Sequence, residues 1–570
     1  MKTHQLALNR RRFVACFSSA GASMALMPGA LVAVAQDAEV ITLPMLEAAQ
    51  AIAGISFTRQ EQERIVDRLN GARDLRPAFE TLRASALGNE TQPAFVFNPV
   101  PPGEKLPTER KPFRRRARSV SMPLTDEALA FLPVTHLARL VETRQVTSTE
   151  LTKLYLERLR RYDPQIRAVV TLTEDLALRQ ARQADEEIAA GNYRGPLHGI
   201  PWGAKDLLAV RGTTTTWGMS PYVDRVIDAD ATVFNRLTEA GAVLVAKLST
   251  GALAVSARWF GGTTRNPWNL EQDASGSSAG PGAATAAGLV GFSIGTDTGG
   301  SIILPSTRNG VTGLRPTFGR VSRYGVMSLV WTQDTVGPMC RSAEDCALVL
   351  DAIQGPDGQD NTLLDVPFNW DAEDDVSQLR VGYLRSLFDA GLPDEPARAE
   401  RQQQIRDNAE EALRVIRSLG VEVVPFDLPD VPIETIDFMR YVETAAAFDE
   451  ETRTGVLTEV ENGPEESRRP DEIRAARFTP AVEFVQGNRL RMRAMEQMAE
   501  AMADVDLFIG SHQALTNRTG HPVMSLPNGF FEGTPTALHL TGALFGESAI
   551  LRLADAFQAV TNHHERYPPL

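Results

Sequence analysis

The sequence predicts an α/β protein built on a central sheet, and three observations carry that reading. From Leu124 onwards, helical periodicities alternate with short β-like apolar runs. The chain has 570 residues, 43% hydrophobic and 23% charged, which is ample apolar material for a large core and excludes disorder as its main state. Between Gly276 and Arg320 lie 11 of the 43 glycines, arranged around a short apolar strand and a helix of small residues. The balance of 58 Lys+Arg against 72 Asp+Glu, a formal charge of −14, argues against a nucleic-acid protein, because phosphate binding needs clustered cations. Three cysteines exclude a disulfide framework.

Taken in order, residues 1–35 read as an address. Asn9-Arg10-Arg11-Arg12-Phe13-Val14 sets paired arginines before a mostly small and apolar stretch, and Ala33-Val34-Ala35 supplies the small-x-small pattern that signal peptidases cut. The form is that of a twin-arginine signal cleaved near Ala35, which predicts a periplasmic or secreted protein. Ser18, Ser19, Gly21, Ser23, Pro28 and Gly29 dilute the apolar run too far for a membrane span, so no stable anchor is expected after cleavage. The segment carries four bases and no acid, so the mature chain would sit at −18.

Residues 36–95 form an expected helical N-terminal segment, from the periodicity of Leu43 to Ile55 and Glu61 to Leu87. Pro99, Pro101, Pro102, Pro107 and Pro112 mark residues 96–123 as an extended linker. Its basic run, Lys111 to Arg118, reads as solvated or paired with the acidic body. Residues 124–570 make the main domain. Thr147-Ser148-Thr149-Glu150 is a capping box opening a helix with Leu151, Leu154, Tyr155 and Leu159 on one face. Strands are expected over Arg167 to Thr173, Ala242 to Ala246, Val290 to Ile294, Leu379 to Leu384, Val421 to Pro425 and Asp506 to Ile509. Helices are expected over Glu174 to Ala190, Ala231 to Ala240 and Ala283 to Leu289. Two longer helices, Pro396 to Leu419 and Pro480 to Asp504, each open on a proline, where one is tolerated. Residues 448–480 read as a charged surface excursion. Cys340 and Cys346, flanking the helix start Ser342 to Asp345, read as buried thiols.

The chemistry concentrates in Gly295-Thr296-Asp297-Thr298-Gly299-Gly300-Ser301. A strand runs into a tight glycine loop, where the N–H groups of Thr298, Gly299, Gly300 and Ser301 can converge on an oxyanion and a serine can attack a carbonyl. The loop lacks the order of a phosphate-binding P-loop. A serine nucleophile needs a base. None of His136, His198, His512, His521, His539, His563 and His564 sits in a strong local motif. Lys205, inside the apolar run Gly199-Ile200-Pro201-Trp202-Gly203-Ala204-Lys205, is the other candidate, since burial lowers a lysine's pKa. Gly276-Ser277-Ser278-Ala279-Gly280 fits the G-x-S-x-G nucleophile elbow, but polar residues Asn269 to Ser275 precede it where the elbow requires a hydrophobic strand.

Lys205, Ser277 and Ser301, in that order and 72 and 24 residues apart, resemble the motifs of the amidase signature family, which includes the A-type chains of glutamyl-tRNA(Gln) amidotransferase. Gly313-Leu314-Arg315-Pro316-Thr317, Gly319 to Ser322, Thr519-Gly520-His521-Pro522 and Leu526 to Phe530 extend the resemblance over about residues 124–565. It implies a mixed central β-sheet packed between layers of helices and a Ser–cis-Ser–Lys mechanism. In that mechanism Ser301 is the nucleophile, Ser277 on a cis peptide relays its proton to neutral Lys205, and Thr298, Gly299, Gly300 and Ser301 form the oxyanion hole. No metal and no organic cofactor are called for. The implied function is an exported amidase that cleaves a carboxamide or other C–N amide bond of a small molecule, without nucleic acid; a homo-oligomer is compatible. The alternatives are a glutamine-hydrolysing amidotransferase component, against which the export signal counts, and a non-catalytic binding protein on the same fold.

Three departures accompany the resemblance. Ile303 stands where the family usually has arginine, with Arg308 further along the chain. Ser275 and Ala279 replace common glycines. Lys247 to Leu253 lacks an acidic residue many relatives carry, which predicts a less polar pocket. Trp217, Met219, Leu253 and Trp331, with Trp259 and Phe260, are the expected pocket lining.

Overall fold

Eleven strands hydrogen-bond into one sheet in a computed structural model of the chain, which describes residues 40–71, 76–84, 87–389, 391–460 and 469–570. The expected export signal lies outside these residues. In chain order the strands are β1 (Val169–Leu172), β2 (Pro201–Lys205), β3 (Val243–Leu248), β4 (Phe292–Asp297), β5 (Thr312–Arg315), β6 (Thr335–Cys340), β7 (Arg380–Leu384), β8 (Glu422–Phe426), β9 (Leu507–Ile509), β10 (Val523–Phe531) and β11 (Thr534–Gly542). They lie in the order β1-β3-β2-β4-β6-β5-β10-β11-β9-β7-β8. Strands β3, β2 and β4 are mutually parallel, as are β9, β7 and β8. The other neighbours are antiparallel. The sheet is therefore mixed and flanked by helices, as expected.

Strands β2, β3 and β4 are buried along their whole length, which is why they read as continuous apolar or small runs and not as alternating ones. Successive residues of β3 serve two different cores. Leu244 joins a cluster with Leu151, Tyr155, Trp202 and Phe292, while Val243 and Val245 join one with Leu159, Ile166, Ala283 and Val290. Trp202 on β2 stacks on Phe292 of β4 with ring centroids 6.0 Å apart. The capping box is present: Thr147 N–H donates to Glu150 Oε2 at 2.8 Å, Glu150 N–H returns a bond to Thr147 Oγ1 at 3.1 Å, and the helix Ser148–Ile166 follows.

Two expectations shift. The small-residue helix runs Ala279–Ala286, ahead of Ala283 to Leu289. Pro281 sits in the first turn, where its missing N–H costs nothing, and Gly288 at φ +62° turns the chain out. Asn269–Asp273, expected as polar loop, is a strand, but it pairs only with Arg265–Asn266 in a ribbon apart from the main sheet. The helical pattern from Glu61 to Leu87 is two helices, Arg59–Leu69 and Arg76–Ala84, because Asn70 and Gly71 are poor helix formers.

The chain forms two compact units. One ends at Gly88 and takes in Ala475–Phe484; the other comprises Asn89–Arg474 and Val485–Leu570. The Pro- and Arg-rich segment 96–123 is part of the larger unit, and its basic run is paired with acidic residues: Arg115 with Glu142 (3.5 Å), Arg116 with Asp555 (3.0 Å) and Arg118 with Glu344 (2.5 Å). Arg114 adds main-chain bonds to Trp370 and Ala372. Cys340 and Cys346 are buried free thiols, and Ser342 caps the helix Ala343–Ile353. Among the described residues no helix is long and apolar enough to cross a membrane.

A buried ion pair closes the core behind the sheet. Glu547 accepts from Arg320 Nη2 at 2.9 Å and from Thr317 N–H at 2.8 Å, and both charged side chains are inaccessible to solvent. Removing the acid strands a buried guanidinium. Glu547→Ala is expected to lower stability by about 3–5 kcal/mol, read as a fall in the urea midpoint at unchanged slope.

Candidate active site

Strand β2 ends in Lys205, which burial in this apolar run withholds entirely from water. Its Nζ lies 2.8 Å from Ser277 Oγ, 3.0 Å from Ser278 Oγ, 2.8 Å from Thr296 Oγ1 and 3.4 Å from the Thr296 carbonyl. The Gly276–Ser277 peptide bond is cis. Ser278 has one hydroxyl proton and donates it to the Thr296 carbonyl at 3.0 Å. Ser278 Oγ therefore accepts from Lys205. With a second N–H directed to Thr296 Oγ1, a neutral lysine keeps its lone pair for the proton of Ser277.

Burial pushes Lys205 down from 10.5 to about 7, against the opposing pull of Asp297 and Asp334. The neighbouring buried lysine shows why this matters. Lys247 is also wholly buried and also lowered by burial, but it lies 2.8 Å from Asp206 and bonds to Thr215 Oγ1 at 2.9 Å. Every hydrogen-bond partner of Lys205 is an uncharged hydroxyl or carbonyl, so Lys205 is the lysine left free to exchange a proton.

Strand β4 delivers the second half of the site. It ends at Asp297, turns through Thr298 to Ser301, and enters the helix Ile303–Asn309. Burial falls off in a graded way: Lys205 is fully buried, Ser277 nearly so, Ser301 and Thr298 are half-buried, and Gly299 is exposed. The Ser301 carbonyl accepts from Ser278 N–H at 3.2 Å, which fixes the loop beside the Ser277 peptide. Among the described residues no histidine hydrogen-bonds to Ser277 or Ser301.

Asp297, which sequence reasoning missed, organises this loop. Its carboxylate accepts from the N–H groups of Gly300 (2.7 Å), Ile302 (2.7 Å) and Ile303 (3.4 Å), and from Asn517 Nδ2 at 3.2 Å. Asn517 also donates to the Thr298 carbonyl at 2.9 Å. One expectation is corrected: the Gly300 N–H is spent on Asp297 and cannot face an oxyanion. The N–H groups of Thr298, Gly299 and Ser301 make no hydrogen bond within the described residues. Gly300 is needed for another reason. Its φ is +108°, and a Cβ there would stand 2.7 Å from the Gln513 side chain. An acidic residue two positions before a glycine pair is the sequence signal for such a turn.

The remaining candidates divide. Trp331 lines a small cavity with Thr296, Thr298 and Asp334. Trp217 packs edge-on to Tyr222 and Phe448, with the Arg225 guanidinium 3.7 Å from its ring centre, and its main-chain N–H donates to the Asp206 carbonyl. Trp259 and Phe260 pack against each other at 4.9 Å. Met219 and Leu253 have no accessible surface to offer a substrate and belong to the core. Arg308 reaches Gln272 at 3.5 Å, while Ile303 is buried with Ile302, Val311 and Met339, so Arg308 does not replace an arginine at 303.

Residues 150–509 match the family model described as Amidase. The A-type chain of glutamyl-tRNA(Gln) amidotransferase from Roseiflexus sp. (strain RS-1) is 35% identical over an alignment 478 positions long, which covers 75% of this chain and 96% of that protein. The chain belongs to the amidase family. Its structure is also similar to native peptide amidase from Stenotrophomonas maltophilia, with a TM-score of 0.68 and 28% identity over 77% of this chain and 98% of that one. The corresponding glutamyl-tRNA(Gln) amidotransferase chain from Thermotoga maritima aligns with a TM-score of 0.63 and 25% identity over 78% and 98% of the two chains. This member of the amidase family is thus an enzyme of amide C–N hydrolysis.

The lysine environment sets the pH behaviour. A base titrating at about 7 is protonated and inactive below that pH, so turnover is expected to rise with pH through about 7; a pH–rate profile flat from about 5 to 9 contradicts this. Gly300→Ala is expected to reduce turnover by about 100-fold through displacement of the loop, and to lower the thermal unfolding midpoint as well, because alanine is strained at this φ and meets Gln513.

Proposed function

We propose that the enzyme hydrolyses the amide of a small molecule through an acyl-enzyme on Ser301. The observation that carries this is a buried lysine whose hydrogen-bond partners are all neutral, 2.8 Å from the Ser277 hydroxyl, with the neighbouring Ser278 N–H bonded to the Ser301 carbonyl at 3.2 Å. Ser301 Oγ attacks the amide carbon as its proton passes to Ser277 Oγ, and the Ser277 proton passes to Lys205 Nζ. The carbonyl oxygen takes up negative charge facing the Thr298, Gly299 and Ser301 N–H groups. The tetrahedral adduct collapses as the amine departs with a proton returned through Ser277. Water then attacks the acyl-enzyme, gives its proton to the same relay, and releases the acid. No step calls for a metal or organic cofactor.

The enzyme is further proposed to act outside the cytoplasm as a free-standing amidase. The paired arginines at 10–12 and the Ala33-Val34-Ala35 pattern support export. On this reading residues 36–123 are the helical segment and strap of the mature chain, and residues 124–570 its catalytic domain. A second reading has specific support: relatives 31–35% identical to this chain are A-type chains of glutamyl-tRNA(Gln) amidotransferase, so glutamine hydrolysis within a complex is the competing role. Location and partner dependence separate the two. A cleaved, exported chain that hydrolyses amides alone supports the first; an uncut cytosolic chain that releases ammonia from glutamine only with partners supports the second.

Lys205→Ala, Ser277→Ala and Ser301→Ala are each expected to depress turnover by at least about 10³-fold, as for members of one catalytic unit. A serine-directed fluorophosphonate is expected to modify Ser301, identified by peptide mass. Wild-type activity in Ser301→Ala rejects the mechanism.

A further inference from the structure

Asp297 does two things that pull against each other. Its carboxylate draws the main-chain N–H groups of Gly300 and Ile302 inward and so fixes the loop of Ser301. The same negative charge favours a proton on Lys205, which bonds to Thr296, the residue before it. A base kept neutral beside a fixed carboxylate needs a cation that offsets the carboxylate. Arg315 stands in that place. It ends β5 as Asp297 ends β4, and β6 alone lies between the two strands. Its Nε is 3.9 Å from Asp297 Oδ1, and both side chains are wholly withheld from solvent.

The rest of the guanidinium meets only neutral groups. Nη1 donates to the His521 carbonyl at 3.0 Å and Nη2 to the Thr516 carbonyl at 3.2 Å, while Nε has no hydrogen-bond partner among the described residues. Burial disfavours the charge on Arg315, and Asp297 is the acid that supports it. His521 adds no charge, because burial and Arg315 push it down to about 3. The second acid that pulls on Lys205 is Asp334, also buried. It accepts from Thr298 Oγ1 at 2.7 Å and from the N–H groups of Leu329 and Val330, with Arg323 near it. Arg323 is itself paired with Asp360 at 2.9 Å, and Lys247 with Asp206 at 2.8 Å. Among these cations Arg315 is therefore the one set against Asp297. A guanidinium suits the place because it keeps its proton over the whole range in which Lys205 exchanges one, so the offset is constant.

We infer that Arg315 is a positioning residue of the reaction: it is the permanent counter-charge of Asp297, which lets this carboxylate hold the Ser301 loop while Lys205 stays free to accept a proton. This deepens the proposed mechanism and rests on Lys205 being its base.

The test follows the Lys205 signal of the full chain, labelled with ¹³C at the lysine ε-carbons, against pH, together with the acid limb of the pH–rate profile. In Arg315→Met the Lys205 midpoint is expected to rise by at least about one pH unit, with the acid limb moving alongside it. In Asp297→Asn, which leaves Arg315 unopposed, it is expected to fall by at least about one unit. The double variant Asp297→Asn/Arg315→Met, with neither charge, is expected to return to within about half a unit of wild type. An unmoved Lys205 midpoint in folded Arg315→Met overturns the inference even where activity is lost, because it marks general support of the fold. If Arg315→Met does not fold, Asp297→Asn and the double variant decide: equal midpoints in the two overturn the inference, and a higher midpoint in the double variant supports it. A wild-type Lys205 that does not titrate near 7 overturns instead the reading of Lys205 as the base.

Discussion

The site depends on one constraint, the burial of an amine with no carboxylate among its hydrogen-bond partners. Lys205 closes a strand that no water reaches, and its four hydrogen-bond contacts are to hydroxyls and a carbonyl. The fold bears a cost for this. Between about 7 and 10.5 the unfolded chain binds a proton at this lysine that the folded chain refuses, so the contribution of this group to stability rises with pH across that window. Lys247, one strand away, shows the ordinary solution, a carboxylate partner. That the two buried lysines are treated differently is the clearest sign that Lys205 is kept neutral for chemistry.

A base at the end of β2 is useful only if the attacking group is held at a fixed distance from it. The parallel pairing of β2 with β4 sets the spacing of the two halves. Asp297 then fixes the loop by drawing three main-chain N–H groups inward, and Asn517 ties the same loop to a later part of the chain. The consequence is selective: Gly300 is held by its N–H and Thr298, Gly299 and Ser301 keep theirs. Exposure rises from Lys205 to Ser277 to Ser301, so on the proposed mechanism the attacking hydroxyl is the one nearest to solvent.

Much of this was legible in the sequence for identifiable reasons. β2, β3 and β4 are largely apolar or small because they are covered on both faces, and Lys205, like Lys247, stands out as a charge in such a run. Ser277 and Ser301 were marked by glycine-dense loops. The capping box and the helix-opening prolines carried local signals of their own. What escaped depended on contacts between distant parts of the chain. Whether Gly300 N–H is free is decided by the rotamer of Asp297, and Asn517 reaches Asp297 across 220 positions that carry no local pattern. Met219 and Leu253 match a pocket in chemical type, but pocket lining is decided by accessible surface, which only the packed structure defines.

The central claim is that Lys205 is neutral at working pH, and direct titration of that side chain tests it most squarely. In protein labelled with ¹³C at the lysine ε-carbons, with Lys205→Met and Lys247→Met to assign the two buried resonances, the Lys205 signal should titrate at about 7. A Lys205 resonance that stays in its protonated position up to about pH 10, the ordinary lysine range, would contradict the account and leave Ser277 without an acceptor for its proton.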